Sequence, residues 1–325
     1  MMVLSCSGDL SNLQLVNALL ATTFKSAGFP HPFWDYGYTT RLLEPEFRNR
    51  DDKAVNPDVV LASRQENHAI IWDIKSGRTV HDEQVEKYLG CSAADLIEQL
   101  GIPSRKPSQL GVDTAFLGNS AHQERLLEVL SPYPRVVLMV MDLHSLRIEQ
   151  GRFSQGGIDA VLQAGISIPA TIPTHLVPFD PKEDDEGRLA ALVLPTLATF
   201  AVRKQQRFSI NDVMAAMAPR LFARRNRIRP GSAFVSELRK KTRLLLVKAI
   251  NKKPLRSYVR RVSVPKGDPS TFELTVRLPL HHRTKVAFLN AISAAIAALK
   301  GQELNLYVQQ SLFPELDEWG TVEPS

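Results

Sequence analysis

Two apolar runs separated by a short polar stretch set the pattern of the N-terminal half. Asn56-Pro57-Asp58-Val59-Val60-Leu61 leads into polar residues from Ser63 to His68, and Ala69-Ile70-Ile71-Trp72-Asp73-Ile74-Lys75 follows. Both runs are rich in β-branched and aromatic residues, which suit a pleated, buried surface, so they read as two strands of a hairpin. Upstream, Leu13, Val16, Leu19, Leu20 and Phe24 recur at helical spacing, predicting a helix from Ser11 to Ala27 with Ser11 as N-cap. Aromatics and prolines from Phe29 to Tyr38 predict a loop. Helices are expected from Asp82 and over Ala121 to Leu130, and buried strands over Arg135 to Met141 and Thr174 to Phe179. Strands alternating with helices imply an α/β domain: a mixed central sheet flanked by helices.

The pattern breaks at Pro178 to Gly187, a proline-bearing acidic stretch without periodicity. This predicts one domain over 1–180, an acidic linker over 181–187 and a second domain over 188–325. An apolar helix from Leu189 to Phe200 is expected to kink at Pro195. Ser209 caps a short helix, Pro219 ends or restarts it, and Pro230-Gly231 reads as a turn. Ser232 caps a long helix from Ala233 to Asn251. Ser257 to Val264 and Thr271 to Leu278 alternate like two strands joined by a turn at 265–269. A final apolar helix runs from Thr284 to Leu299, and the residues after Phe313 are acidic. Helices followed by a hairpin suggest a winged-helix-like module; a plain α+β accessory domain has the same order.

Charge sharpens the division. The net charge is only +6. Between Phe200 and Arg261, however, 18 Lys and Arg stand against Asp212 and Glu237, and the other 32 acids lie elsewhere. So strong a cluster is an electrostatic footprint for a polyanion. Arg239, Lys240, Lys241 and Arg243 sit together on the long helix as candidate nucleic-acid contacts. Charge alone does not separate duplex DNA from RNA. Cys6 and Cys91 form no metal-ligand pair and suggest no disulfide framework. The first twelve residues lack a signal-peptide pattern. The longest apolar run, Leu189 to Val202, contains Pro195 and is too short to span a bilayer. A cytoplasmic protein without a membrane partner is the expectation. Phosphate-loop, dinucleotide, His-Glu-x-x-His and Gly-x-Ser-x-Gly patterns are missing.

The chemistry concentrates in the predicted hairpin. Side chains two apart on a strand share a face, so Asp73 and Lys75 project together. A hairpin centred between Gln65 and Glu66 places Asp58 opposite Asp73. Two carboxylates that close repel unless a cation joins them, and their oxygens suit a hard ion such as magnesium. Gln84 and Tyr88, four apart, share a face of the following helix, next to a stripe of Val85 and Leu89. The bland alternative is an edge hairpin whose charges merely face water.

Pro57-Asp58, Asp73-Ile74-Lys75 and the later Gln84-x-x-x-Tyr88 resemble the PD-(D/E)xK nuclease superfamily, the restriction-endonuclease-like fold, and its RecB-like members in particular. The resemblance covers about thirty-five residues. It implies a metal-dependent nuclease acting on DNA, with Asp58, Asp73 and the backbone carbonyl of Ile74 holding Mg2+, for which Mn2+ can substitute. Lys75 would act on the attacking water, Gln84 would position the lysine or a phosphate, and Tyr88 would contact the strand. Many members carry another acid on the first helix. That helix has none here, and Glu44 and Glu46 are the nearest upstream acids, with Glu46 the candidate third ligand. Defence or restriction, recombination and transposition remain open as roles, as do a homodimer and partner proteins. The rival is a non-catalytic DNA-binding protein whose nuclease-like domain is an inactive scaffold.

Overall fold

A computed structural model describes residues 10–25, 29–77, 79–169, 171–222, 228–251, 253–262 and 271–301. The chain divides into two compact units, 1–177 with 220–235, and 178–219 with 236–325.

The first unit opens with α1 (Asn12–Ala21), the one-turn α2 (Pro32–Asp35), β1 (Tyr38–Leu43), β2 (Phe47–Arg48) and β3 (Ala54–Val55). The hairpin β4 (Val59–Ser63) and β5 (His68–Lys75) follows, then α3 (Asp82–Leu89) and α4 (Ala93–Leu100). Next come β6 (Gly111–Asn119), α5 (Gln123–Leu130), β7 (Val136–Met141), β8 (Ser145–Gln150), α6 (Gly156–Gln163) and β9 (Ile166–Ser167). Farther along lie α7 (Glu186–Val193), α8 (Thr196–Val202), β10 (Arg207–Ser209), α9 (Ile210–Met217), α10 (Pro219–Phe222) and β11 (Arg229–Pro230). The chain then runs through α11 (Ser232–Ile250), β12 (Val259–Val262), β13 (Thr271–Leu274) and α12 (His282–Lys300).

Eight strands of the first unit form one mixed sheet, ordered β11-β1-β4-β5-β6-β7-β8-β9. β5, β6 and β7 are parallel, and β4 runs antiparallel to β5. The protein is therefore α/β, with a large mixed central sheet flanked by helices. One face of the sheet packs Val60, Ile71, Phe116 and Leu138 against Val85, Leu96 and Leu126 of α3, α4 and α5. On the other face the fully buried Trp72 meets Phe33 edge-on and Phe153 at a tilt.

Three sequence expectations change here. The first helix stops at Ala21, because Thr22 and Thr23 turn their hydroxyls back onto the carbonyls of Leu19 and Leu20. Buried Arg41 then donates to Thr23 Oγ1 at 2.6 Å and lies over the Phe24 ring, placing a cation at the helix C-terminus. Thr174 to Phe179 is not a strand; Val177 instead exchanges hydrogen bonds with the buried side chain of Asn17, at 2.8 and 3.0 Å. Pro230-Gly231 is not a free turn. Arg229 and Pro230 form β11 on the sheet's edge, where a proline's missing N–H costs no ladder bond.

The second unit carries a three-stranded antiparallel sheet, ordered β10-β13-β12. Its buried face includes Phe208 and Phe272, which stack at 5.9 Å. On its other face Arg207 and Arg260 flank Glu273 and both pair with its carboxylate. The acidic run after Pro178 makes local hydrogen bonds. Asp180 accepts from the backbone of Lys182, and Asp185 caps α7. The expected apolar helix is two helices, broken at Pro195. The turn at 265–269 and the acidic C-terminus fall outside the described residues.

Candidate active site at the end of strand β5

The hairpin has the register that its sequence predicts: Val59 pairs with Trp72, and Ser63 with His68. One step beyond Val59 and Trp72 stand Asp58 and Asp73, where β4 has ended and β5 continues toward Lys75 paired with β6. With no β4 residue left to pair, the Ile74 N–H donates to Asp58 Oδ2 at 2.6 Å. A residue's N–H and C=O leave a strand on the same side, so the Ile74 carbonyl also faces the Asp58 side. The site thus lies at the carboxyl end of a parallel strand, the usual place for ligands in open α/β sheets.

Asp73 is 3% exposed. Its Oδ1 accepts from Gln84 Nε2 at 2.8 Å and from the Tyr88 hydroxyl at 3.1 Å. Lys75 Nζ lies 2.8 Å from Oδ2 as an ion pair. Gln84 completes the set, its Oε1 accepting from Lys75 Nζ at 3.2 Å. Helix α3 presents Gln84 and Tyr88 together because they are one turn apart, while Val85 between them is fully buried in the core.

The electrostatics follow from buried Asp73 and half-buried Asp58, served by one ammonium. Burial, and then the Asp73 charge, push the Asp58 carboxyl up to about 7, against the pull of the Ile74 N–H and of Lys75. Burial also raises Asp73, opposed by Lys75. The Tyr88 hydroxyl is raised by burial and by the Asp73 charge, which keeps it a neutral donor.

Each expected site residue has a definite place. Asp58, Asp73, Lys75, Gln84 and the Ile74 backbone are brought together. Tyr88 joins them differently from expectation: it is 3% exposed, and its hydroxyl is spent on Asp73 and, at 3.3 Å, the Asn56 carbonyl, leaving no face for a nucleic-acid base. Glu46 is exposed, and its Oε1 accepts from the Ala233 N–H at 3.1 Å. The upstream acid whose charge reaches Asp58 is Glu44. Its N–H donates to the Asp58 carbonyl at 2.8 Å, a proximity that its position next to Pro45 did not reveal.

Asp58, Asp73 and the Ile74 carbonyl are hard oxygen donors, and the Lys75 ammonium stands 2.8 Å from Asp73 Oδ2. The set fits a divalent cation that keeps several waters, as magnesium does. Among the described residues no group of three or more His, Cys, Asp or Glu side chains is placed to hold a metal.

In the second unit, Arg239, Lys240 and Arg243 are exposed on α11 beside Leu244, which is 56% exposed. Arg239 reaches Asn211 Oδ1 at 3.0 Å, and Lys240 reaches Glu237 at 3.4 Å. Lys241 is half-buried, and its ammonium is held by the Pro181 carbonyl. Among the described residues, no helix is long and apolar enough to cross a membrane.

The fold and the buried polar cluster define an α/β protein with a candidate active site on its mixed sheet. Residues 11–174, which carry that site and β1 to β9, match the MJECL32 domain, and the chain belongs to this family. The uncharacterized protein MJECL32 of Methanocaldococcus jannaschii is 29% identical over 87 residues. That match takes in 23% of this chain and 20% of the relative. No solved structure matches the chain.

Proposed function

We propose that this protein is a metal-dependent nuclease that hydrolyses phosphodiester bonds in duplex DNA. The observation that carries the reading is the Asp58–Asp73 pair, held at the end of β5 beside a single ammonium 2.8 Å from Asp73 Oδ2. Asp58, Asp73 and the Ile74 carbonyl would hold Mg2+ or Mn2+, which supplies an activated water and neutralises charge on the leaving oxygen. Lys75 holds a donor beside Asp73, where it orients the attacking water and meets the negative charge that develops on the phosphate. Gln84 joins Lys75 to Asp73 and keeps both in place. Restriction or defence, recombination and transposition all fit such a chemistry.

The second unit supplies the binding surface in this reading. α9 and α11, followed by the β12–β13 strands in a sheet ordered β10-β13-β12, fit a winged-helix-like module with α11 as recognition helix. Arg239, Lys240 and Arg243 would meet phosphates and Lys241 would fasten the helix. The compartment that fits is the cytoplasm.

The test is Mg2+-dependent cleavage of linear and circular duplexes by the wild type beside Asp73→Ala. Loss of the carboxylate should remove several kcal/mol of transition-state stabilisation, on the order of 10³-fold in rate. Full activity in Asp73→Ala ends the assignment. Duplex affinity, measured in EDTA, should survive that change. It should fall, and depend less on salt, when Arg239, Lys240 and Arg243 become Glu. The rival, a DNA-binding scaffold without catalysis, draws on the absence, among the described residues, of a group of three or more such side chains placed to hold a metal. A wild type that binds duplex DNA but cleaves no substrate with either metal would favour it.

A further inference from the structure

We infer that Glu46 and Gly231 form a latch that sets the backbone beside Asp58, so that Glu46 serves the site as a positioning residue and not as a metal ligand. The inference rests on the nuclease reading of Asp58 and Asp73.

The latch begins where β1 ends. The Gly231 N–H donates to the Leu43 carbonyl at 2.7 Å, continuing the β1–β11 pairing of Leu42 with Arg229 and Leu43 with Pro230. A Cβ at position 231 would fall 1.9 Å from the Glu44 carbonyl oxygen, so only glycine allows this approach without moving the backbone. Glu44 itself has φ +44, a left-handed conformation that a glutamate rarely adopts and that its surroundings must enforce. From that position its N–H holds the Asp58 carbonyl at 2.8 Å.

Two residues on, the Glu46 carboxylate accepts from the Ala233 N–H in the first turn of α11. The N–H groups of a helix's first turn have no intrahelical partner, and the helix dipole favours an anion there. Residues 44–46 are thus gripped from both ends by 231–233, more than 180 positions away in the sequence. Arg229 anchors the gripping segment by donating to the Leu100 carbonyl at 2.9 Å. The bracket leaves Glu46 bonded to a backbone N–H, with Glu44 the acid beside Asp58.

The two roles for Glu46 separate on substitution. A ligand needs its negative charge, whereas a latch needs only an acceptor oxygen, which glutamine keeps. The full-length wild type, Glu46→Gln, Glu46→Ala and Gly231→Ala are compared in two measurements. One is cleavage of a linear duplex with Mg2+; the other is backbone amide exchange of segments 43–47 and 229–235 in EDTA. Glu46→Gln is expected to match the wild type in both. Glu46→Ala should speed exchange in both segments by about tenfold, as loss of a helix cap does. It should also slow cleavage by on the order of 10- to 100-fold, the effect of a small misplacement of a reacting group. Gly231→Ala should exceed it in both. Loss of cleavage in Glu46→Gln with wild-type exchange would make Glu46 a ligand and overturn the latch, as would wild-type exchange in Glu46→Ala. A wild type without cleavage would refute the nuclease reading, while the exchange measurement would still decide the latch.

Discussion

The two ends of strand β5 hold two buried polar clusters that differ in one respect. At its start, His68 is 2% exposed and every group around it has a partner. His68 Nδ1 meets the Tyr38 hydroxyl at 2.7 Å, and Nε2 meets Asp113 Oδ2 and Ser154 Oγ, each at 3.0 Å. The Ser154 N–H also donates to Asp113 at 2.7 Å. With the imidazole proton on Nε2 and the phenol donating to Nδ1, each donor has an acceptor. At the other end two carboxylates share one ammonium, that of Lys75, 2.8 Å from Asp73 Oδ2. The first cluster ties β1, β5, β6 and the loop after β8 together. The second is held in a state that burial and like charge oppose, and groups held that way mark sites of chemistry.

The contrast breaks most sharply on deletion. Asp73→Ala should remove cleavage while the fold survives. His68→Ala should do the reverse, because it leaves the buried Tyr38 hydroxyl without its partner and takes one of its partners from half-buried Asp113. That loss costs about 1–3 kcal/mol, a fall in melting midpoint of roughly 2–10 °C. Thermal unfolding and a cleavage assay on one preparation check both. Lost cleavage with an unchanged midpoint in His68→Ala would mean that the two ends are not separate.

How much of this was legible in the sequence depends on what sets each feature. The hairpin register was legible because the polar stretch from Ser63 to His68 fixes the turn, and the period of two then places Asp58 opposite Asp73. Gln84 and Tyr88 were legible as one face of a helix. β6, the sheet's most extensively paired neighbour of β5, was not. It begins Gly111-Val112-Asp113-Thr114 and holds Gly118, which hides a buried strand behind polar and small residues. Gly118 is small because a Cβ there would lie 2.2 Å from Leu126. Asp113 is polar because it serves His68, a long-range partnership that no local pattern announces. Of β1 only Tyr38 lies in the loop that the sequence predicts, and β11 overlaps the predicted turn at Pro230; neither strand is legible, because their pairing depends on residues far away in the chain.

The smallest effect expected is also the most direct probe of the open end. Asp58 carries a pKa of about 7 in the folded chain against 3.8 for a free carboxyl, and Asp73 is raised in the same direction. Below the unfolded value both states hold the Asp58 proton, and the stabilising contribution of the protonated group is fully present. As pH rises through that value the unfolded chain releases the Asp58 proton while the folded one keeps it, so metal-free stability falls until the folded value near 7 is passed. Melting midpoints in EDTA should therefore decline between pH 4 and pH 7 more steeply in the wild type than in Asp58→Asn, which has one carboxylate fewer to keep neutral. The variant should also melt higher at pH 8, where the wild type has lost the Asp58 proton. Mg2+ should reverse the order there, since it binds the charged pair and stabilises only the chain that has one. Superimposable profiles for the two proteins in EDTA would show that the carboxylates do not strain each other. The open end of β5 would then be as settled as the closed one.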